Sequence, residues 1–330
     1  MNSSSDDISE KPIRVLSIDG GGMRGIVPAT ILEAMEQETG EHIAHLFDVM
    51  VGTSTGSILS LGLNVPNEQG AAKYKATDFV DMYKDLGGTI FHQTRKVLKI
   101  LDGMTQPTYD PSGYEKLLEA YFGDASMADM ICEVAAPSIE LEDMNMHTFT
   151  KKNAQQGQEQ NYYVRDVIRA ATAAPTYFPS ATLKSLDGSN SGTFVDAGVS
   201  TNNPGLLAIA EAELLNNANP YIFVSLGTGA ITKPIDAIKA RTWGELQWIK
   251  SIFDLQGDAQ SSYTENVIQK ILAARPHSSY QRIQLDLHGL PTEMDDTKPA
   301  HLDQLRSAAQ SYVADNHASI KALCARLTNV

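Results

Sequence analysis

The first sixty residues alternate in a way that few folds accommodate. An apolar run at 13–18 meets the glycine-rich turn Asp19-Gly20-Gly21-Gly22-Met23-Arg24-Gly25, and a helical stretch follows, closing near Gly40. A second apolar run then feeds Gly52-Thr53-Ser54-Thr55-Gly56 and the start of a second helix. Strand, turn, helix, strand is the mark of right-handed crossovers, which build a parallel sheet with helices packed against it. The class is α/β. Sites in such sheets form beyond the carboxyl ends of the strands, so both glycine turns are expected on one edge.

The alternation continues along the chain. Residues 131–135, 146–150 and 193–195 read as strands, and residues 164–172 as a helix stopped by Pro175 and Pro179. Residues 221–226 are a buried strand ending in Gly227-Thr228-Gly229, preceded by a helix at 205–216. Arg282-Ile283-Gln284-Leu285-Asp286-Leu287 reads as a late strand, Trp243, Trp248, Ile249, Ile252 and Phe253 as an apolar helix face, and residues 302–327 as one or two terminal helices. Residues 1–12 form a polar tail, expected to be disordered, and residues 13–330 one domain, with a helical insertion near 70–125 and a less marked part after 229. Within the insertion, Arg95-Lys96-Val97-Leu98-Lys99-Ile100-Leu101 is the most basic short stretch. It reads as an amphipathic helix packed on the domain, with a lipid-facing segment or a lid as the other readings.

Composition narrows the partners. A formal charge of -14 excludes a broad nucleic-acid surface, which needs concentrated Lys and Arg, while 42% hydrophobic and 20% charged residues are ordinary for a folded domain. Cys132 and Cys324 stand far apart without metal-ligand spacing, so neither a disulfide framework nor a zinc site is expected. The acidic N-terminus is the opposite of a signal peptide, and no apolar run reaches the roughly 18 residues of a membrane span. A cytoplasmic protein is expected, with transient contact at a membrane surface. Oligomeric state leaves no signature.

Gly52-Thr53-Ser54-Thr55-Gly56 fits G-x-S-x-G, in which a tight strand-to-helix turn lifts a serine hydroxyl above a sheet edge. Gly52 and Gly56 let strand and helix approach closely. A serine needs a base and a group that stabilises the oxyanion formed when it attacks an acyl carbon. The amides of Gly20, Gly21 and Gly22 can curl into a nest for that oxygen, with Arg24 fixing the loop or adding positive charge. The same loop also satisfies G-x-G-x-x-G, so a nucleotide-binding protein stays open; against it stand Asp19, which would repel a pyrophosphate, and a second strand that ends without an acidic residue. None of the eight histidines has the setting of a catalytic base. Asp196, at a strand end before Ala197-Gly198, does, provided it lies close to Ser54 in a partly desolvated site.

In this order the motifs resemble those of the patatin-like phospholipases. The loop at 19–25 resembles that family's oxyanion-hole motif, residues 52–56 its nucleophile elbow, Asp196-Ala197-Gly198 its dyad motif, and Ala170-Ala171-Thr172-Ala173-Ala174-Pro175 a further block, with Thr172 where serine is frequent. The resemblance runs from about Ile13 to Gly229. It implies a three-layer α/β/α fold with a mainly parallel central sheet. It also implies a lipid acyl hydrolase of phospholipase A or lysophospholipase type, acting on phospholipid or other acyl-ester lipid without metal or cofactor, through Ser54 and Asp196. An acyltransferase or a non-catalytic lipid-binding protein on the same fold are the nearer rivals.

Overall fold

The computed structural model describes residues 11–89, 107–215, 218–230 and 235–329. Its strands are β1 (Ile13–Ile18), β2 (Val49–Gly52), β3 (Glu133–Glu140), β4 (Met146–Thr150), β5 (Ala181–Lys184), β6 (Ser191–Asp196), β7 (Tyr221–Leu226) and β8 (Ser279–Ile283). Between them run α1 (Ile26–Thr39), α2 (Ile43–Leu46), α3 (Thr55–Gly62), α4 (Ala76–Thr89), α5 (Ser112–Phe122), α6 (Lys151–Gln156), α7 (Val164–Ala171), α8 (Gly205–Leu215), α9 (Ala237–Ala240) and α10 (Glu245–Ala273). The helices α11 (Pro299–Asp315) and α12 (His317–Thr328) close the described chain.

The strands form one sheet in the order β5-β6-β3-β2-β1-β7-β8, with β4 beside β3. The five strands β3, β2, β1, β7 and β8 are mutually parallel, and β4, β5 and β6 join antiparallel. Alternate residues of the parallel strands enter different cores. Val15, Val49, Val51 and Phe223 pack with Ala208, Ile209 and Ala212 of α8 and with Ile268 and Leu272 of α10. Leu16, Ile18, Met50 and Val224 turn the other way, onto Ile31, Leu32 and Met35 of α1, Ile168 of α7, Leu305 of α11 and Leu323 of α12. Both faces are covered, which gives three layers and explains why the strands read as continuous apolar runs. Each fully buried Leu, Ile or Val contributes about 1.5–3 kcal/mol.

One edge of β3 decides where the chemistry can sit. β4 runs along one side of β3, from Ala135↔Thr150 to Ile139↔Met146. The other side is shared. β2 takes its first half, reaching Val51↔Ala135, and β6 takes its second half in the opposite sense, arriving at Ser138↔Asp196. The carboxyl ends of β2 and β6 therefore meet head-on along β3.

Several boundaries differ from the sequence expectation. β5 was not anticipated: Ala-Thr-Leu-Lys is short, and only its alternation of buried and exposed residues marks it. The late strand begins at Ser279 and ends at Ile283, because its partner β7 ends at Leu226. Leu285 and Leu287 stay buried beyond it, held by bonds from Ala230 N to Leu285 O (2.7 Å) and from Leu287 N to Ala230 O (3.0 Å). The terminal helices are two. The expected insertion contains α4 and α5, with Phe79, Met82, Tyr83, Tyr114, Leu118 and Phe122 in the core, whereas the basic stretch at 95–101 and the tail at 1–10 lie outside the described residues. So do the side chains of Ile249, Ile252 and Phe253, while Trp243 and Trp248 meet edge-on at 5.2 Å between centroids.

Candidate active site

At the end of β2 the chain turns into α3 through Ser54, which sits at φ 54° and ψ -121°. A residue with a Cβ is rarely held there, at about 1–3 kcal/mol of strain, unless the surroundings over-determine it. They do. A Cβ on Gly52 would come within 2.0 Å of Gly56 O, and one on Gly56 within 2.2 Å of Ile18 O, so strand and helix touch backbone to backbone. Thr53 N donates to Ile18 O (3.1 Å), Thr53 Oγ1 to Thr201 O (2.8 Å), and Ser57 Oγ to Gly52 O (2.7 Å). Every residue around the turn is tied down, and the Ser54 hydroxyl is presented above the edge.

Asp196 arrives from the opposite direction, close enough for its carboxyl to feel the Ser54 hydroxyl. Extending the β2–β3 register by three residues sets Ser54 level with Ser138, the residue paired with Asp196. Asp196 is 3% exposed. Burial pushes its carboxyl up to about 6, against the opposing pull of the Ser54 hydroxyl and of the Gly198 N–H, which donates to Oδ1 at 2.7 Å. Its own N–H donates to Ala173 O (3.1 Å), which brings the block at 170–175 alongside. There Tyr114 bonds Thr172 Oγ1 (2.9 Å), whose hydroxyl donates to Ile168 O (2.7 Å).

The glycine loop completes the edge. A Cβ on Gly20 would lie 3.3 Å from Ser54 Cβ, so the loop passes directly beside Ser54. Gly20 N donates to Asn202 O (3.0 Å) and Gly20 O accepts from Thr228 Oγ1 (2.8 Å). The Gly20 amide is thus occupied, contrary to the expectation that all three glycine amides face a developing anion. The Gly21 and Gly22 amides donate to no partner among the described residues, although Gly21 O accepts from Arg24 N (3.2 Å), and their positions tolerate no side chain: a Cβ would meet Thr228 Oγ1 at 2.2 Å from Gly21 and Met294 O at 2.3 Å from Gly22, where φ is +59°. Arg24 is buried and turns its Nε back to Gly21 O (3.3 Å), fixing the loop from within.

The dinucleotide reading loses its geometry here. A pyrophosphate needs the open N-terminus of the helix after the loop. The start of α1 is plugged, since a Cβ on Gly25 would lie 2.2 Å from both Thr55 Oγ1 and Tyr83 Oη. Four of the histidines have other occupations: His42 contacts Tyr74 O, His147 lies tilted against Phe149 and edge-on to Phe194, His301 pairs with Asp296 and His317 with Glu38. His92 lies outside the described residues. Among the described residues no group of three His, Cys, Asp or Glu side chains is placed to hold a metal ion, and no helix is long and apolar enough to cross a membrane.

Sequence reasoning gave no site role to Asn202, Thr228, Ser261, Arg282 and Met294. Thr228 stands in the glycine turn Gly227-Thr228-Gly229 and Arg282 in the late strand, and those two positions are the signals that could have found them.

The family model for patatin-like phospholipases matches residues 16–209. Patatin-2-Kuras 3 from Solanum tuberosum is 32% identical over 321 residues, covering 89% of this chain and 81% of the relative. Patatin-04/09 from the same plant is 32% identical over 325 residues, covering 90% and 82%. Among solved structures, VipD from Legionella pneumophila aligns over 95% of this chain and 67% of its own, with a TM-score of 0.40 and 12% identity, a likeness too distant to inform the site. The family match spans the glycine loop, Ser54 and Asp196 in one stretch, and with the potato relatives it establishes that this chain belongs to the patatin-like phospholipases, a family of lipid acyl hydrolases.

Proposed function

We propose that the protein cleaves fatty acyl esters of phospholipids and lysophospholipids through an acyl-enzyme on Ser54, with Asp196 as the general base. The observation that carries this reading is the convergence of Ser54, at the end of β2, with a buried carboxylate at the end of β6 whose pKa is raised to about 6. An ordinary aspartate is too weak a base for an alcohol, and raising its pKa toward the working pH corrects that. Asp196 takes the proton as Ser54 Oγ attacks the ester carbonyl. The carbonyl oxygen, now an oxyanion, meets the N–H groups of Gly21 and Gly22, with Arg24 holding the loop. Collapse expels the alcohol, which leaves with the proton from Asp196. Asp196 then deprotonates water, which attacks the acyl carbon and releases the fatty acid, regenerating Ser54.

Gln256 of α10 donates to Val199 O, three residues past Asp196, so α10 lies against the segment that follows the carboxylate.

The test is to incubate purified protein and Ser54→Ala with mixed phospholipids, lysophospholipids and triacylglycerols, and to read the products by mass spectrometry. Free fatty acid with the matching lysolipid or deacylated headgroup, absent with Ser54→Ala, is expected. Equal product from both proteins refutes the Ser54 acyl-enzyme. Acyl groups appearing on an alcohol acceptor instead of water would make the protein an acyltransferase.

A further inference from the structure

We propose that Arg282 is a positioning residue for the proposed oxyanion loop, acting through Asp19; the inference rests on the function proposed above. Asp19 is the residue between β1 and Gly20, and its N–H is bonded to Leu226 O (2.9 Å). Its side chain is 3% exposed and receives both ends of the Arg282 guanidinium, Nη1 to Oδ1 at 3.0 Å and Nη2 to Oδ2 at 2.5 Å. Arg282 comes from β8, two strands away, and its side chain is 8% exposed. The guanidinium is itself clamped: Nη1 donates to Ser225 Oγ of β7 (2.8 Å) and Nη2 to Ser261 Oγ of α10 (3.3 Å).

Such an arrangement is a poor way to gain stability. Burying two charges costs desolvation that their attraction barely returns, and an apolar pair of similar volume often stabilises as well or better. Here even Arg282 Nε is buried without a partner among the described residues. What a bidentate pair supplies is direction, because the planar fork accepts the carboxylate in one orientation. Direction matters most next to a run of glycines, which holds no preferred backbone conformation of its own.

The other anchors follow the same logic. Gly20 is held on both its N–H and its carbonyl, and Met23 N donates to Met294 O (2.8 Å). The loop is therefore gripped immediately before and after Gly21 and Gly22, the two amides left for the oxyanion. Thr228, Ser261, Arg282 and Met294 all lie beyond the stretch matched by the family model, which ends at 209. The C-terminal third thus acts on the chemistry by holding the loop that the N-terminal part supplies.

The test compares wild type with Arg282→Met, Arg282→Lys and the double variant Asp19→Asn/Arg282→Met on a soluble p-nitrophenyl ester. Two affinities accompany it, one for an alkyl trifluoromethyl ketone, whose adduct on Ser54 places an oxyanion in the hole, and one for the fatty acid product. The double variant removes both buried charges, so no unpaired ion is left to unfold it. Misaimed donors should lower kcat by about 100-fold in Arg282→Met and in the double variant, with KM within about twofold. Ketone affinity should fall by a similar factor, fatty acid affinity should hold, and Arg282→Lys should recover part of the loss. Undiminished kcat in the folded double variant, or equal losses in kcat, ketone and fatty acid affinity, would overturn the inference. If the wild-type turnover itself survives Ser54→Ala, the proposed function falls and this inference with it; turnover that depends on Ser54 but not on Arg282 overturns this inference alone.

Discussion

Replacing Asp196 by Asn should stop catalysis and stabilise the protein at the same time. Native Asp196 holds its proton up to a pH of about 6, against 3.8 for an ordinary aspartate. At about 1.36 kcal/mol per unit, the ionised side chain at pH 7.5 costs the folded state about 3 kcal/mol relative to its protonated form. The native state binds this proton more tightly than the unfolded chain, so the contribution to stability is complete below a pH of about 4 and is lost as pH rises through about 6. Asparagine resembles the protonated acid, keeps an oxygen for the Gly198 N–H, and never ionises. Asp196→Asn should therefore exceed wild type by about 3 kcal/mol at pH 7.5, and by about 1 kcal/mol at pH 4.5. With an unfolding entropy of about 2.1 cal/mol/K per residue, the larger figure is about 4 °C in Tm for a chain of 330 residues. Thermal melts of both proteins at several pH values measure it, since other groups titrate alike in the two. A gap that does not change with pH, or a variant less stable than wild type at pH 7.5, would refute the claim that burial of this carboxylate dominates its energetics.

The same carboxylate should set the acid limb of activity: kcat/KM on a soluble ester should fall tenfold per pH unit below about 6, and a profile flat to pH 5 would remove Asp196 as the base. Ser54→Gly should be more stable than Ser54→Ala by about 1 kcal/mol in urea unfolding, because both lose the hydroxyl and only glycine relieves the φ of 54°. Gly56→Ala should cost at least about 3 kcal/mol, its Cβ falling 2.2 Å from Ile18 O, whereas Gly40→Ala, with nothing within 4 Å and only a φ of +74° to strain it, should cost about 1–2 kcal/mol. Equal losses at the two glycines would refute the claim that the contact at Gly56 costs more than the backbone strain at Gly40.

The parts of the site legible in the sequence are those in which function forces a local pattern. Gly52 and Gly56 are read from sequence because two backbones touch there, Gly21 and Gly22 because Thr228 and Met294 press on them, and Asp196 because a strand delivers it before Ala197-Gly198. The parallel strands were legible for a related reason, as burial on both faces leaves unbroken apolar runs such as Tyr221–Leu226. What escaped was pairwise and distant. Nothing near Asp19 announces an arginine 263 residues away, and nothing in Asn202 announces that its carbonyl will occupy the Gly20 amide. Strand direction escaped too, since Ser191–Asp196 carries the same residues whichever way it enters the sheet.

That direction has a further use. Because β2 and β6 advance toward each other along one side of β3, the backbone of β3 serves as a ruler, and the spacing of Ser54 and Asp196 is counted in its residues. One residue inserted within Ser191–Asp196 would turn every later side chain to the opposite face of the sheet and carry the carboxylate past its mark. Residues added at the exposed tip, Asp187 to Asn190, change nothing on the ruler. A peptide tag or a small reporter domain placed at that tip should leave ester cleavage intact, which makes the β5–β6 hairpin the natural handle for attaching this enzyme to a surface or to another protein.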